Sequence, residues 1–298
     1  MSSPTGPGSG LPVRMPRPRQ SGRHRRPEPV SAPEGAPTLV LAVPGDPSSE
    51  SRGLAEEVLS IARSELPGLD ARVGYVEGVD QEFPALHEVL ARAAAKGAKR
   101  GAGEVPVPVP VVVPLLAGPD SVHLRTIRQA VLGSGTGAGL TDVLGPHPLL
   151  AEAVHVRLSE AGLARADRAR LFTVATAADG IVLATVGGEE AVQAAGITGM
   201  LLSARLAVPV LAAALDREGS VAETAGRLTN AGSRQLALAP CLIGPEIPAG
   251  LLAAGSKEAG CPAAEPLGAY PAVGKLVLSA YMNAVGISPE RPHGTMIR

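Results

Sequence analysis

Short apolar runs alternate with amphipathic helical stretches along most of this sequence, and this alternation restricts the fold more than any other feature. Apolar or β-branched runs that read as strands cover residues 38–43, 71–76 and 105–116. Apolar side chains at helical spacing follow or separate them in residues 52–66, 83–98, 121–132 and 149–163. Such alternation is typical of parallel sheets joined by right-handed crossovers, so the sequence predicts an α/β fold.

The second half of the chain weakly repeats the first. Residues 113–119 (VPLLAGP) align without gaps with residues 239–245 (APCLIGP), and residues 144–150 (LGPHPLL) align with residues 267–273 (LGAYPAV). The repeat predicts two similar flavodoxin-like lobes, at residues 37–163 and 164–286, that face each other across a cleft. A cleft between lobes is the default position for a ligand.

The ends of the chain differ from these lobes in composition. Residues 1–36 are rich in Pro, Ser, Gly and Arg and nearly lack large apolar side chains, which predicts a disordered tail without the apolar core of a signal peptide. Residues 287–298 are expected to form a short C-terminal tail.

Charge and composition limit the classes of partner. The net charge is −1, aromatic residues make up 2% of the chain and tryptophan is absent, which argues against nucleic-acid binding. No apolar run approaches the length of a membrane span. The two cysteines, Cys241 and Cys261, form no C-x-x-C pair, so a reduced cytoplasmic location is expected.

Several segments resemble one known family. Residues 144–154 (LGPHPLLAEAV), 157–162 (RLSEAG) and 267–273 (LGAYPAV), supported by residues 75–77 (YVE) and 112–118 (VVPLLAG), are similar to sirohydrochlorin and cobalt chelatases of the class II group. The resemblance covers roughly residues 38–285. It implies a metal-inserting lyase that places Co²⁺ or Fe²⁺ into a sirohydrochlorin-like tetrapyrrole, toward cobalamin or sirohaem, with the metal as substrate and no other cofactor.

The resemblance also implies where the metal-handling residues stand. The family has a histidine in the first strand–turn, a glutamate after the second strand and a second histidine after the third. This chain has Pro44 in the first position and Glu77 in the second. A gap-free count puts Val122 in the third position, with His123 one residue beyond it. Glu77 and His123 are therefore the predicted metal ligands and proton acceptors, since imidazole and carboxylate suit both roles.

Other candidates complete the predicted site. In the second lobe the first strand–turn is predicted at residues 175–179, without a histidine, and Glu246 is the one ionisable candidate after the third strand. Arg125 and Arg128 are predicted to hold the carboxylates of the tetrapyrrole, the alternative being a solvated helix face. His147 lies at a strand-to-helix corner, where capping of the turn is favoured over a ligand role.

Two functions follow from the resemblance, and an unrelated α/β enzyme with a similar turn is a third alternative. The first is a catalytic chelatase that uses Glu77 and His123. The second is a non-catalytic relative that binds metal or tetrapyrrole, or regulates another protein, because proline at residue 44 has no donor atom on its side chain. The glycine-rich segment 133–139 follows a predicted helix and lacks the lysine of a phosphate-binding loop, so we interpret it as a connector.

Overall fold

Strands and helices alternate through residues 31–100, 108–164 and 177–287, which are the residues that the computed structural model describes. The strands are β1 Leu39–Val43, β2 Ala71–Tyr75, β3 Val111–Pro114, β4 Gly139–Leu140, β5 Gly180–Thr185, β6 Val210–Ala214 and β7 Leu236–Pro240. The helices are α1 Ser49–Glu65, α2 Leu86–Arg100, α3 Ser121–Gly133, α4 Pro148–Glu160, α5 Gly188–Leu206, α6 Ser220–Asn230, α7 Leu251–Ala259 and α8 Pro271–Val285.

The strands form two parallel sheets. The first has the order β2-β1-β3-β4 and the second has the order β6-β5-β7. The central strands β1 (LVLAV) and β5 (GIVLAT) are buried along their whole length, as expected for parallel strands that helices cover on both faces. The predicted α/β fold with parallel sheets is therefore confirmed.

The helices α4 and α8 tie the two sheets together. Helix α8 follows the second sheet in the chain but packs against α1 and β3, beside the first sheet. Helix α4 follows the first sheet but packs against α5 and β7. One apolar core accordingly contains side chains from both sheets, including Leu41 and Leu183. The predicted junction between the lobes near residue 164 stays a prediction, because residues 165–176 lie outside the described part.

Three predicted boundaries shift in the structure. Strand β5 begins at Gly180, so the first strand–turn of the second half is Val186-Gly187 and the prediction of residues 175–179 was wrong. The reason is that Asp179 precedes the strand, where its carboxylate accepts from the backbone N–H groups of Arg234 and Gln235 at 2.9 and 2.8 Å. Strand β3 begins only at Val111, after the alternating prolines, and α2 begins at Leu86.

In the described part of the chain no helix is long and apolar enough to cross a bilayer.

The two halves meet through a pair of reciprocal turn contacts. Gly45, after β1, has a φ of +75°, and a Cβ there would overlap the carbonyl oxygen of Pro245. Gly187, after β5, has a φ of +108°, and a Cβ there would lie 2.8 Å from the carbonyl oxygen of Pro119. Because Pro119 aligns with Pro245 in the sequence repeat, each first turn contacts the equivalent third turn of the other half. This reciprocity is the arrangement expected of two related lobes.

Candidate functional site

A cavity of about 730 Å³ opens beside the turns that follow β1, β2, β3 and β7. Ligands of parallel α/β sheets bind at the carboxyl ends of the strands, which is where these turns lie. The ionisable side chains along its wall are Asp46, Glu50, Glu77, His123, Glu246 and Glu265. Among the described residues no lysine or arginine lines it. The five carboxylates give the cavity a negative potential that attracts cations.

His123 reaches this cavity from the first turn of α3. Asp120 is the N-cap of that helix, and its Oδ1 accepts from the backbone N–H groups of Val122 and His123 at 2.9 and 3.1 Å. The other carboxylate oxygen, Oδ2, lies 2.7 Å from Nδ1 of the His123 imidazole. Val122, which the gap-free count placed in the ligand position, is 64% exposed and does not line the cavity. The histidine one residue further along is thus the side chain that the fold presents.

Electrostatics at this pair favour the ionised form of Asp120 and make the imidazole of His123 a stronger base. The hydrogen bond to Asp120 raises the pKa of His123 above its ordinary value of 6.5 against the opposing effect of burial, and the charges of Glu246 and Glu77 also raise it. Burial on its own would raise the pKa of Asp120, but its hydrogen bonds with the side chain and backbone of His123 hold that pKa below 3.8. The cavity therefore contains an imidazole that is more basic than an isolated histidine side chain.

Glu246 supplies a buried carboxylate from the second half of the chain. It is only 2% exposed, and its oxygens accept from the backbone N–H groups of Ile243 at 2.6 Å and Gly244 at 2.8 Å. Burial raises the pKa of Glu246 despite these hydrogen bonds. When the alignment of residues 113–119 with 239–245 is extended by one residue, Asp120 aligns with Glu246. Both lobes therefore place a carboxylate directly after a Gly-Pro pair.

Asp120 was not among the residues predicted from the sequence, although two signals pointed to it. The repeat aligns Gly-Pro-Asp with Gly-Pro-Glu. An aspartate three residues before His123, at the start of a helix, is also the spacing that lets a capping carboxylate meet a side chain of the first turn.

The structure brings together some of the predicted site residues and not others. Glu77, in the turn after β2, and His123 both line the cavity, together with Glu246. Arg125 and Arg128 are exposed and do not line it. At about 100° per residue they lie about 200° and 140° around α3 from His123, so they point away from the cavity. Their predicted contact with tetrapyrrole carboxylates has no support in this arrangement.

The first turn offers no metal ligand at residue 44. Pro44 is buried, and Ser48 caps α1 by accepting from the backbone N–H of Ser51 at 3.1 Å, while the Ser51 hydroxyl oxygen accepts from the backbone N–H of Ser48. His147 likewise caps α4, since its Nδ1 accepts from the backbone N–H of Leu149 at 3.1 Å, and it lines a different cavity. The favoured interpretation of His147 as a capping residue is confirmed.

Metal binding at the cavity would require the donors to come closer together. Across residues 31–100, 108–164 and 177–287, no group of three or more His, Cys, Asp or Glu side chains stands close enough to hold a metal ion. Glu77, His123 and Glu246 line one space without forming a closed cage.

Comparison with known proteins shows which fold this is. No protein-family model matches the sequence, and no curated protein matches it. Among solved structures, the sirohydrochlorin chelatase SirB from Bacillus subtilis subspecies spizizenii in complex with cobalt is 14% identical, with 84% of this chain and 96% of that chain covered and a TM-score of 0.57. SirB from Bacillus subtilis with Fe³⁺ is also 14% identical, with the same coverage and a TM-score of 0.61. The chain therefore has a chelatase-like fold, and at this identity the likeness extends to the fold alone.

Proposed function

We propose that this protein is a chelatase that receives Co²⁺ or Fe²⁺ in the acidic cavity and inserts it into a sirohydrochlorin-like tetrapyrrole, in the route to cobalamin or sirohaem. The observation that carries the proposal is the meeting of His123, Glu77 and Glu246 on one cavity of a chelatase-like fold. A cytoplasmic location belongs to the same proposal, as does the absence of any other cofactor.

The chemistry of insertion matches these side chains. A divalent metal replaces two pyrrole N–H protons, so the site must hold a cation and accept protons. Imidazole nitrogen and carboxylate oxygen are both suitable donors for Co²⁺ and Fe²⁺. His123 could accept one proton at Nε2 once that nitrogen no longer holds the metal, and Glu246, whose pKa is raised by burial, could accept another more readily than an exposed carboxylate. Glu77, which is exposed at the wall of the cavity, would be the first ligand that an arriving cation meets.

A non-catalytic relative that binds metal or tetrapyrrole is the second candidate. Pro44 removes the donor that the resemblance places in the first turn, and the described residues contain no preformed group of three metal ligands. The outward position of Arg125 and Arg128 also leaves the carboxylates of a tetrapyrrole without a guanidinium partner from α3. These observations weaken catalysis more than they weaken metal binding.

One assay separates the two candidates. Purified protein is incubated with sirohydrochlorin and Co²⁺ or Fe²⁺, and the absorbance change is followed against the uncatalysed rate. Insertion predicts a faster rate for the wild type, loss of that excess in His123→Ala, and its retention in Val122→Ala, which alters the exposed neighbour outside the cavity. A wild-type rate equal to the uncatalysed rate would reject insertion.

Metal titration then tests binding on its own. The affinity for Co²⁺ is measured by calorimetry for the wild type, His123→Ala and Val122→Ala. A ligand role for His123 predicts that only His123→Ala weakens binding, by roughly tenfold or more. Equal affinities in all three proteins would exclude His123 as a ligand.

A further inference from the structure

We propose that Asp120 is a positioning residue that fixes the tautomer of His123, so that the unprotonated Nε2 faces the cavity. This inference deepens the proposed function and rests on it for its purpose, but its geometry is independent of any metal. An imidazole can bind a metal or accept a proton only through a nitrogen that carries a lone pair. The identity of the protonated nitrogen therefore decides whether His123 can act at all.

The hydrogen bonds of Asp120 determine which nitrogen carries the proton. An ionised carboxylate only accepts hydrogen bonds, so the 2.7 Å contact from Oδ2 to Nδ1 requires the proton on Nδ1. In the neutral imidazole the lone pair then belongs to Nε2. In the described part of the chain no residue hydrogen-bonds to Nε2, and the ring lines the cavity. The free lone pair is thus presented to a ligand in the cavity.

The carboxylate itself is held in place from two sides. Its Oδ1 is bound by the backbone N–H groups of Val122 and His123, which leaves Oδ2 directed at the imidazole. Asp120 is only 5% exposed. On its backbone side it meets the second lobe, because a Cβ added to Gly187 would lie 2.7 Å from the Cα of Asp120. The contact between the lobes therefore supports the group that orients His123.

The equivalent position in the second lobe shows that this arrangement is specific to the first. Glu246 aligns with Asp120, but the residue that aligns with His123 is Ala249. In the part of the chain that the structure describes, Glu246 instead accepts from the backbone N–H groups of Ile243 and Gly244. The pseudo-symmetric fold therefore provides two buried carboxylates and uses one of them to orient an imidazole.

The test is the substitution Asp120→Asn in the full chain. Asparagine retains an oxygen that can cap α3, but its amide N–H₂ donates to Nδ1, which moves the imidazole proton to Nε2. The tautomer is measured from the ¹⁵N chemical shifts of the His123 imidazole, at a pH where the imidazole is neutral. We expect an Nδ1–H imidazole in the wild type and an Nε2–H imidazole in Asp120→Asn. Affinity for Co²⁺ is expected to fall about 10- to 100-fold with that change.

Two further variants separate this effect from charge and from folding. Asp46→Asn removes one carboxylate from the same cavity but leaves the hydrogen bond between Asp120 and Nδ1 in place, so the imidazole should keep the Nδ1–H form. Asp120→Ser preserves a capping hydroxyl but is too short to reach the imidazole, so a mixture of tautomers is expected.

The outcomes distinguish this inference from the proposed function. An Nδ1–H imidazole in Asp120→Asn and Asp120→Ser would overturn the role of Asp120 and leave metal binding at His123 untouched. A changed tautomer with unchanged Co²⁺ affinity would support the role of Asp120 in orientation and contradict the ligand role of His123.

Discussion

The contact between Gly45 and Pro245 should be visible in the stability of a single variant, Gly45→Ala. Gly45 has a φ of +75°, and a left-handed backbone costs about 1–2 kcal/mol in a residue with a Cβ. The added Cβ also overlaps the carbonyl oxygen of Pro245, and overpacking of this kind costs about 1–3 kcal/mol. The lower entropy of alanine in the unfolded chain offsets about 0.4–1 kcal/mol. The expected net loss is about 1–5 kcal/mol.

Gly188→Ala is the matched control for this variant. Gly188 has a φ of +79°, almost that of Gly45, but a Cβ there would meet nothing within 4 Å. The backbone and entropy effects therefore cancel, and the difference between the two variants isolates the clash at about 1–3 kcal/mol. At about 2–4 °C per kcal/mol, Gly45→Ala should melt roughly 2–12 °C below Gly188→Ala in a calorimetric scan. Equal melting temperatures would refute the close contact between the two turns.

Three more measurements test individual interactions. Asp70→Asn should lower stability at neutral pH by no more than about 1 kcal/mol, because the carboxylate accepts from Lys96 at 2.8 Å at a partly exposed site. Burial alone would raise the pKa of Asp70, but hydrogen bonds from Lys96 and Arg72 lower it below 3.8. The stability that the ionised Asp70 contributes is therefore lost as the pH falls from 3.8 through the lowered pKa. Urea melts at acidic pH should therefore converge for variant and wild type. The raised pKa of His123 predicts the opposite dependence of stability on pH. The contribution of His123 to the stability of the metal-free protein is complete below pH 6.5 and is lost as the pH rises through the raised pKa. His123→Ala should not show that loss. Tyr281→Phe should cost about 1 kcal/mol, because its hydroxyl donates to the carbonyl oxygen of Pro37 at 2.6 Å. Tyr75→Phe is the control and should leave the free energy of unfolding unchanged, since the buried Tyr75 hydroxyl has no hydrogen-bond partner among the described residues. Equal losses of stability for both tyrosine variants in chemical melts would contradict the hydrogen bond to Pro37.

The fold was accessible from the sequence where local patterns determine it. The runs at β1 and β2 and the helical spacing in α1 and α3 predict the elements to within a few residues. Helices α4 and α8 each pack beside the sheet of the other half of the chain. This was not predictable, because an amphipathic helix carries no information about which sheet it will cover. The misplaced turn at residues 175–179 has a similar cause: the apolar run before it lies outside the described residues, and the sequence pattern alone does not show that the next run, β5, is the strand between β6 and β7.

The site was predicted less completely than the fold. Glu77 and His123 were named from the resemblance, and the structure places both on one cavity. The choice between Val122 and His123 depended on where α3 begins, and the Asp120 cap determines that start. The direction of Arg125 and Arg128 depends on the same helix start, which explains why a count of residues could not exclude them. Contacts between residues distant in sequence, such as that of Gly187 with Asp120, leave no local pattern.

Pro44 has no side-chain donor atom, but it belongs to a turn that makes backbone contacts with the other lobe. The turn that begins with Pro44 places Gly45 against Pro245, directly before the buried Glu246. In the second lobe Gly187 contacts Pro119, directly before the buried Asp120. Each first turn thus supports the carboxylate that follows the third strand of the opposite lobe. A proline can fulfil that structural role without a donor atom, because the role is one of backbone packing. Pro44 therefore supplies no side-chain donor but is compatible with the contacts that hold Glu246, Asp120 and, through Asp120, His123.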